Sequence, residues 1–385
     1  MEWPQGVLDV LERLDRAGYG AWAVGGCVRD LLLGRVPHDW DICTSATPGQ
    51  MRSALADLRL IDTGPRHGTL TVLTPRPIEV TTYRVDGPYA DHRRPDQVRF
   101  VDRLEEDLAR RDFTVNAMAL RPDRPLVDLF GGRADLVARR IRCVGQPHLR
   151  FEEDALRMLR CLRFAAQLDF FVEEQTAQAL RQGWAALNYV SAERIGAEYQ
   201  KLLCGPRCGG VLAGFRPQIE AVTPLRPGDL SRIDQLPPRS GVRMGYILAS
   251  AACLDRLRLD RRTRERVQWL CRMRDQPPPA CRGALLALLG QAGEQALEDL
   301  LAIHAAQGED LSQARALLNG LLAQGAPCRL ADLALKGDDL TALGLKGSRV
   351  GRTLNRLLEE VMEGRLPNRR DALLEAVKRF LPPEG

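Results

Sequence analysis

The sequence predicts an α+β protein: a mixed N-terminal segment followed by helices. Three observations carry this. Short Val- and Thr-rich stretches, such as GTLTVL at 68–73 and IEVTTY at 78–83, all lie before residue 145. From about residue 146 apolar residues recur with helical spacing and strand signals become few. With 385 residues, 45% of them hydrophobic and 27% charged, the chain is globular and large enough for two to four domains.

Residues 6–17 read as a helix, with Val7, Leu8, Val10, Leu11 and Leu14 on one side. Its acidic residues make it an amphipathic helix and not a signal peptide, and no run of about 18 apolar residues follows, so no membrane role and a cytoplasmic location are expected. Ala21 to Val24 is a short apolar strand that delivers the chain to Gly25-Gly26. Bare backbone N–H groups at such a pair can approach a phosphate. A tight turn needed only for strand–helix packing would look the same. Val28 to Leu33 forms the next helix, with Arg29 on its first turn. Val36 to Ile42 then leads through Asp39-Trp40-Asp41. On a strand, residues i and i+2 share a face, so Asp39 and Asp41 can hold divalent cations together. Glu79, flanked by Ile78 and Val80, occupies a polar-face position and is the candidate third carboxylate, or simply a solvated strand glutamate.

Residues 84–102 form a loop longer than a plain connector needs. The charged triplet Arg110-Arg111-Asp112 enters an apolar segment, Asp128 to Gly132 is a turn, and Ala134 to Arg142 is a basic patch. Glu153 to Ala165 is expected to be one helix on which Asp154, Arg157, Arg160 and Arg163 are successive neighbours. An ordinary salt-bridged surface helix shows the same pattern. Ser191 is expected to cap a helix ending at Leu203. Residues 206–240, rich in Pro and Gly, are expected to contain a loop, and the remainder reads as helices with basic faces, including a Gly344–Gly351 turn before the last ones.

The net charge of +5 leans toward a polyanionic partner, although a basic enzyme of any kind would share it. Aromatic residues, at 5%, are too few for a wide stacking platform. Ten cysteines form no C-x-x-C pair and read as reduced thiols; Cys204 and Cys208 lack a second ligand pair for zinc.

These parts suit nucleotidyl transfer. Asp39 and Asp41 supply metal ligands, Gly25, Gly26, Arg29 and Arg111 can hold a triphosphate, and Asp112 can accept from a ribose hydroxyl. Adenine and cytosine both present a donor amine beside an acceptor ring nitrogen. One carboxylate and one guanidinium, Asp154 and Arg157, would accept both and reject guanine and uracil without a template.

GGCVRD, DWD, IEVTTYR, RRDFTVNAMA, DLFGGRADL, EDALRMLRCLRF and AERIGAE, in this order over residues 20–203, resemble the class II bacterial tRNA CCA-adding enzymes, within the tRNA nucleotidyltransferase and poly(A) polymerase family. Beyond 203 the likeness is general. The resemblance implies a polymerase-β-like nucleotidyltransferase head (1–145), a helical neck that reads the base (146–204), and a helical body (205–300) and tail (301–385) that bind tRNA. It implies Mg2+ at Asp39 and Asp41, and nucleotide contacts at Gly26, Arg29, Arg111, Asp112, Asp154, Arg157, Arg160 and Arg163. Glu153 matches the first residue of the base-reading motif. CTP, ATP and tRNA are the implied partners; no protein partner is implied.

The sole His-Asp pair, His38-Asp39, falls in the transfer site, so no phosphohydrolase activity is expected. The loop around Asp91-His92-Arg93-Arg94-Pro95 favours a CCA-adder or A-adder over a CC-adder. A poly(A) polymerase is the alternative within the class. An inert RNA-binding protein would not need Asp39 and Asp41, and a small-molecule transferase would not need the long helical remainder.

Overall fold

A computed structural model of the protein describes residues 2–64, 68–87 and 98–380. The chain forms two compact units, Met1–Val222 with Arg256–Arg258, and Thr223–Asp255 with Leu259–Gly385. The loop expected around Asp91 to Pro95 lies outside the described residues.

The first unit is built on strands β1 (Ala21–Val24), β2 (Trp40–Thr44), β3 (Leu60–Gly64), β4 (Thr69–Val72), β5 (Ile78–Thr82), β6 (Arg84–Asp86), β7 (Val98–Phe100), β8 (Ala119–Arg121) and β9 (Arg124–Val127). Seven of them form one mixed sheet in the order β3-β4-β5-β2-β1-β8-β9, and β6 pairs with β7 in a separate ribbon. In the mixed sheet only β2 and β5 run parallel. Helices α1 (Gln5–Arg16) and α2 (Gly26–Leu32) bury Val7, Val10, Leu11, Leu14, Val28 and Leu31. Their apolar residues recur at helical spacing, and the hydrophobic gain of packing that stripe is what holds such short helices. The expected strands at 21–24, 68–73 and 78–83 are present. The carboxylate strand starts later than expected, at Trp40, because Pro37 cannot donate to a ladder.

Helices α3 (Pro48–Ala54), α4 (Leu104–Ala109) and α5 (Gly132–Val137) complete the region before residue 140. The α+β expectation holds, because the described residues after 140 carry just two short strands, β10 (Arg140–Ile141) and β11 (Phe171–Val172), which pair in parallel. The rest of this unit is α6 (Pro147–Glu153), α7 (Leu156–Leu168), α8 (Glu174–Gly183), α9 (Ala192–Leu203), α10 (Cys208–Gly214) and α11 (Arg216–Val222). Ser191 does stand at the N-cap of α9, though its side chain makes no cap hydrogen bond. Helices α10 and α11 occupy the first part of the stretch 206–240, and the loop expected within it follows them, with no helix or strand from 223 to 230. In those two helices, burial of Leu212 and Ile219 overrides the low helix propensity of the glycines.

The expected basic patch at Ala134 to Arg142 is also corrected. Fully buried Asp135 accepts from Arg140 Nε (2.7 Å) and Arg142 Nε (2.9 Å), and Arg139 pairs with Asp169. Those charges are spent on a structural carboxylate.

The second unit contains α12 (Ser240–Ile247), α13 (Arg261–Met273), α14 (Arg282–Ala292), α15 (Glu294–Gln307), α16 (Ser312–Ala323), α17 (Gly337–Ala342), α18 (Ser348–Met362) and α19 (Arg370–Phe380). One core gathers Leu285, Leu286, Leu297 and Leu318, and another Leu335, Leu340, Leu357 and Val377. Gly344 and Gly347 both have positive φ at the turn before α18, which explains the glycines there. No described helix is long and apolar enough to cross a membrane.

Candidate active site

In β2, Trp40 and Ile42 point into the core at 1% exposure each and Asp41 takes the other face, while Cys43 and Thr44 are both buried; Asp39 lies just before the strand. Asp41 stands in register with Glu79 on the parallel neighbour β5. Burial pushes the Asp41 carboxyl up to about 6; Arg111 opposes the rise, and Glu79 and Asp39 add to it. Asp41 and Glu79 therefore share one face of the sheet, and Asp39, just before the strand, is close enough to act on Asp41. Among the described residues, however, no three carboxylate, imidazole or thiol groups converge closely enough to hold a metal by themselves.

Gly25 links β1 to α2 at φ +76°. A Cβ there would lie 3.3 Å from Arg111 Nη1 and 3.4 Å from Asp41 Oδ2. Gly25 is thus both a backbone requirement and the spacer between a guanidinium and a carboxylate. Gly26 opens α2, and a Cβ on it would lie 3.5 Å from Arg29 Nη2. Arg111 owes its place to Asp107, which is fully buried on α4. Asp107 accepts from Arg111 Nη2 (2.9 Å), from Arg110 Nε and Nη2 (2.9 and 2.7 Å) and from the Arg84 amide (3.4 Å). Burial alone would raise its carboxyl, but Arg111 and Arg110 outweigh that and hold it below the usual carboxylate range.

The next residue, Asp112, centres a second network. Its Oδ1 accepts from the Phe113 amide (2.8 Å) and Asn116 Nδ2 (3.2 Å). Its Oδ2 accepts from Arg160 Nε and Nη2 (3.0 and 2.6 Å). Against the upward push of burial, Arg160, Arg157 and Asn116 hold the carboxyl down at about 2. Asn116 Oδ1 in turn accepts from Arg29 Nη1 (2.8 Å), and Arg29 also pairs with Asp30 (2.9 Å). On α7, Arg160 and Arg163 lie 3.8 and 2.6 Å from the carboxylate of Glu198 on α9. The guanidiniums of Arg163, Arg29 and Arg160 all lie over the Phe164 ring, at 3.8, 5.4 and 5.5 Å from its centroid.

The base-reading pair departs from expectation. Glu153 to Ala165 is not one helix: α6 ends at Glu153, Asp154 is extended (φ −143°, ψ 104°), and α7 starts at Leu156. Asp154 and Arg157 are therefore not successive positions on one helix. Its Oδ1 accepts from the Leu156 amide (3.1 Å), and its Oδ2 accepts from Arg194 Nη2 (2.7 Å) on α9. Arg157 binds Glu153 and the carbonyls of Arg150 and Arg110 (3.2 Å each). Nor do Arg157, Arg160 and Arg163 contact one another as a stripe; each has its own carboxylate. A side chain that bonds the amide two residues on competes with helix, which is why an aspartate breaks the pattern here.

Four residues escaped the sequence reading. Asp107 could have been found, three and four positions before two arginines that follow the end of α4. Arg194 and Glu198, four apart within AERIGAE, carried the same signal. Asn116 had none beyond its place in RRDFTVNAMA. The cysteines are free thiols, with Cys204 exposed and Cys208 buried.

Sequence and structure comparisons agree with this geometry. Residues 21–142 match the poly A polymerase head domain, 169–212 a probable RNA- and SrmB-binding site of polymerase A, and 253–377 a putative domain 2 of tRNA nucleotidyltransferase. A CCA-adding enzyme of Limosilactobacillus fermentum is 37% identical over 97% of this chain and 96% of its own length. One from Lactobacillus delbrueckii subsp. bulgaricus is 46% identical, over 57% of this chain and 59% of that protein. The crystal structure of the Bacillus stearothermophilus CCA-adding enzyme in complex with CTP superposes with a TM-score of 0.80, at 31% identity and 99% coverage of both chains. A polymerase-type head with its carboxylate strand, followed by helices and matched along nearly its whole length, makes this chain a member of the CCA-adding enzyme family of nucleotidyltransferases.

Proposed function

We propose that this protein adds C, C and A in turn to the 3′ end of tRNA, using CTP and ATP and releasing pyrophosphate, without a nucleic-acid template. The observation that carries the reading is the joining of two centres by one short segment. Arg111 lies beside Asp41 and Gly25, while its neighbour Asp112 is bonded to Arg160 of α7. A transfer centre and a base-reading centre are thus held in fixed relation.

Members of this family work with divalent metal ions, and Mg2+ is the ion proposed here. The donor set suits it: Asp41 and Glu79 share a sheet face with Asp39 close by, and burial first, then the charges of Glu79 and Asp39, raise the Asp41 carboxyl, so a hard cation with oxygen preference relieves that strain on the charge. Asp39 and Asp41 would hold the ion, with Glu79 as a supporting carboxylate. When bound, it lowers the pKa of the attacking hydroxyl and neutralises the leaving pyrophosphate. The chain's own part is positioning. Gly25 and Gly26 offer backbone N–H groups, and Arg29 and Arg111 offer guanidiniums, to the triphosphate. Asp112 accepts from the ribose hydroxyl. The terminal 3′ oxygen of the tRNA attacks the α-phosphorus, a P–O bond forms, and the bond to pyrophosphate breaks.

Asp154 is proposed to accept from the exocyclic amine of cytosine or adenine and Arg157 to donate to the adjacent ring nitrogen, with Arg160 and Arg163 lining the nucleotide. Each carboxylate oxygen has two lone pairs, so Asp154 can keep Arg194 and still accept a base amine. Residues 1–145 serve as head, 146–204 as neck, and 205–300 and 301–385 as the tRNA-binding body and tail. The cytoplasm is the proposed location.

The test is a tRNA lacking its CCA end, incubated with each labelled nucleotide in turn. Three added residues are expected. A single A or a long A tail would replace this reading with the A-adding or poly(A) alternative, and no product with any nucleotide would leave an inert RNA binder.

A further inference from the structure

Phe164 on α7 stands where the two centres of the site meet, although its side chain can neither hydrogen-bond nor take a proton. Its ring is buried, at 6% exposure. The guanidiniums of Arg163 and Arg160, on the same helix, lie 3.8 and 5.5 Å from the ring centroid. The Arg160 contact follows from helical spacing, since residues four apart are neighbours. The third contact does not: Arg29 comes from α2, far away in the chain, and its guanidinium lies 5.4 Å from the same centroid. Phe113, next to Asp112, packs edge-on against the ring at 5.7 Å and 77°. Arg29 and Arg160 are also the two ends of a hydrogen-bonded chain. Arg29 Nη1 donates to Asn116 Oδ1 (2.8 Å), Asn116 Nδ2 to Asp112 Oδ1 (3.2 Å), and Arg160 Nη2 to Asp112 Oδ2 (2.6 Å). The chain and the ring thus tie the same two guanidiniums together twice. Like charges gathered round one ring repel one another, and the negative face of the ring is an attraction that all three share.

We propose that Phe164 is a positioning residue for nucleotide binding: its ring sets the spacing between Arg29 and the arginines of α7 before a nucleotide arrives. The inference rests on the reading above, in which Arg29 takes the triphosphate. A ring holds a cation by its charge distribution and not by bulk alone. Without that attraction the nucleotide itself must order Arg29, and the ordering cost appears as lost affinity. Asp154 and Arg157 are held by other partners, Arg194 and Glu153. The loss therefore falls on CTP and ATP alike and leaves the choice of base unchanged.

The test replaces Phe164 in the full chain by phenylalanines carrying one, two and three ring fluorines, introduced with a suppressor tRNA, and separately by leucine. Fluorine drains the negative face of the ring and hardly alters its shape. Equilibrium dialysis with labelled CTP and ATP in Mg2+ reads affinity, and addition to a tRNA lacking its CCA end reads kcat. Affinity for both nucleotides is expected to fall stepwise with each fluorine, by about three- to tenfold over the series, the worth of a cation–π contact. At saturating nucleotide, kcat should stay within about twofold of wild type, with A and C still the bases accepted. Phe164→Leu should bind no better than the most fluorinated ring. Equal affinity along the fluorine series overturns the proposal even if Phe164→Leu binds weakly, because the ring would then act by bulk alone. A loss confined to one nucleotide, or a fall in kcat at constant affinity, overturns it too. A wild-type chain that adds only A, or adds nothing, refutes the reading above, and the ATP affinity series still decides the role of the ring; one that binds neither nucleotide overturns both.

Discussion

Replacing Asp112 by asparagine keeps its shape and removes its charge. Four donors converge on this carboxylate: two from Arg160, one from Asn116 and the Phe113 amide. An amide in its place can accept on one side only, so Arg160 loses its countercharge and an N–H is turned toward another donor. The folded carboxyl sits at about 2 against an ordinary 3.8. That gap corresponds to about 2–3 kcal/mol at neutral pH. Because the folded value is depressed, the contribution is fully present above the unfolded value near 4 and is lost as pH falls through about 2. Asp112→Asn should therefore lower the opening free energy of residues 104–118 and 156–168 by about 2–3 kcal/mol at neutral pH, with a gap to wild type that narrows below about pH 4. Hydrogen exchange read by peptide mass reports those segments separately from the second unit. A deficit that stays constant from neutral pH down to about pH 3 would refute the argument, since it would mean that packing and not charge is lost.

Asp41→Ala should remove nucleotide addition while leaving tRNA binding nearly intact by filter binding; substantial surviving turnover would sink the metal assignment. Changing Asp154 or Arg157 to Ala should relax base choice toward U and G by roughly 10- to 100-fold, the worth of about 1–3 kcal/mol per unpaired polar group, in single-nucleotide addition assays. Strict selectivity for A and C in those variants would count against them as base readers. Gly196→Ala places a Cβ 1.9 Å from the Leu257 carbonyl oxygen, so α9 must shift. A loss of about 2 kcal/mol or more by thermal unfolding is expected, and an unchanged melting temperature would contradict the close packing.

Much of this molecule was legible in its sequence, for physical reasons. Strand β1 at Ala21–Val24 was found to the residue because an apolar run meets a glycine pair. The period of two put Asp41 on the face opposite Trp40 and Ile42, but Asp39 lies just before the strand, where that rule does not reach. The failures are equally specific. Helical periodicity runs smoothly from Glu153 through Ala165, and nothing in it announces that Asp154 will bond to the Leu156 amide and stop the helix. The arginine stripe was readable as composition but not as pairing. Glu153, four residues before Arg157, is a local partner, but the partners of Arg160 and Arg163 come from residues 112 and 198, and such distant contacts leave no periodic trace. Residues 134–142 looked basic because the buried Asp135 that neutralises them counts as one charge among many.

The pairing has a consequence for how such a site selects a nucleotide. Each of these guanidiniums has a carboxylate partner: Arg29 with Asp30, Arg111 with Asp107, Arg160 with Asp112, Arg163 with Glu198, Arg157 with Glu153 and Arg194 with Asp154. Long arginine side chains would otherwise lose up to about 2 kcal/mol of rotamer freedom each on meeting a ligand. Held beforehand, they present a rigid pattern of donors, and the ordering cost falls on folding instead of on binding. Rigidity is also what rejection requires. A mobile arginine could turn its donors to suit uracil or guanine, whereas a fixed one leaves the wrong base with unpaired polar groups. The carboxylates that look redundant beside a nucleotide site are on this view part of its selectivity, because they keep the arginines from adapting.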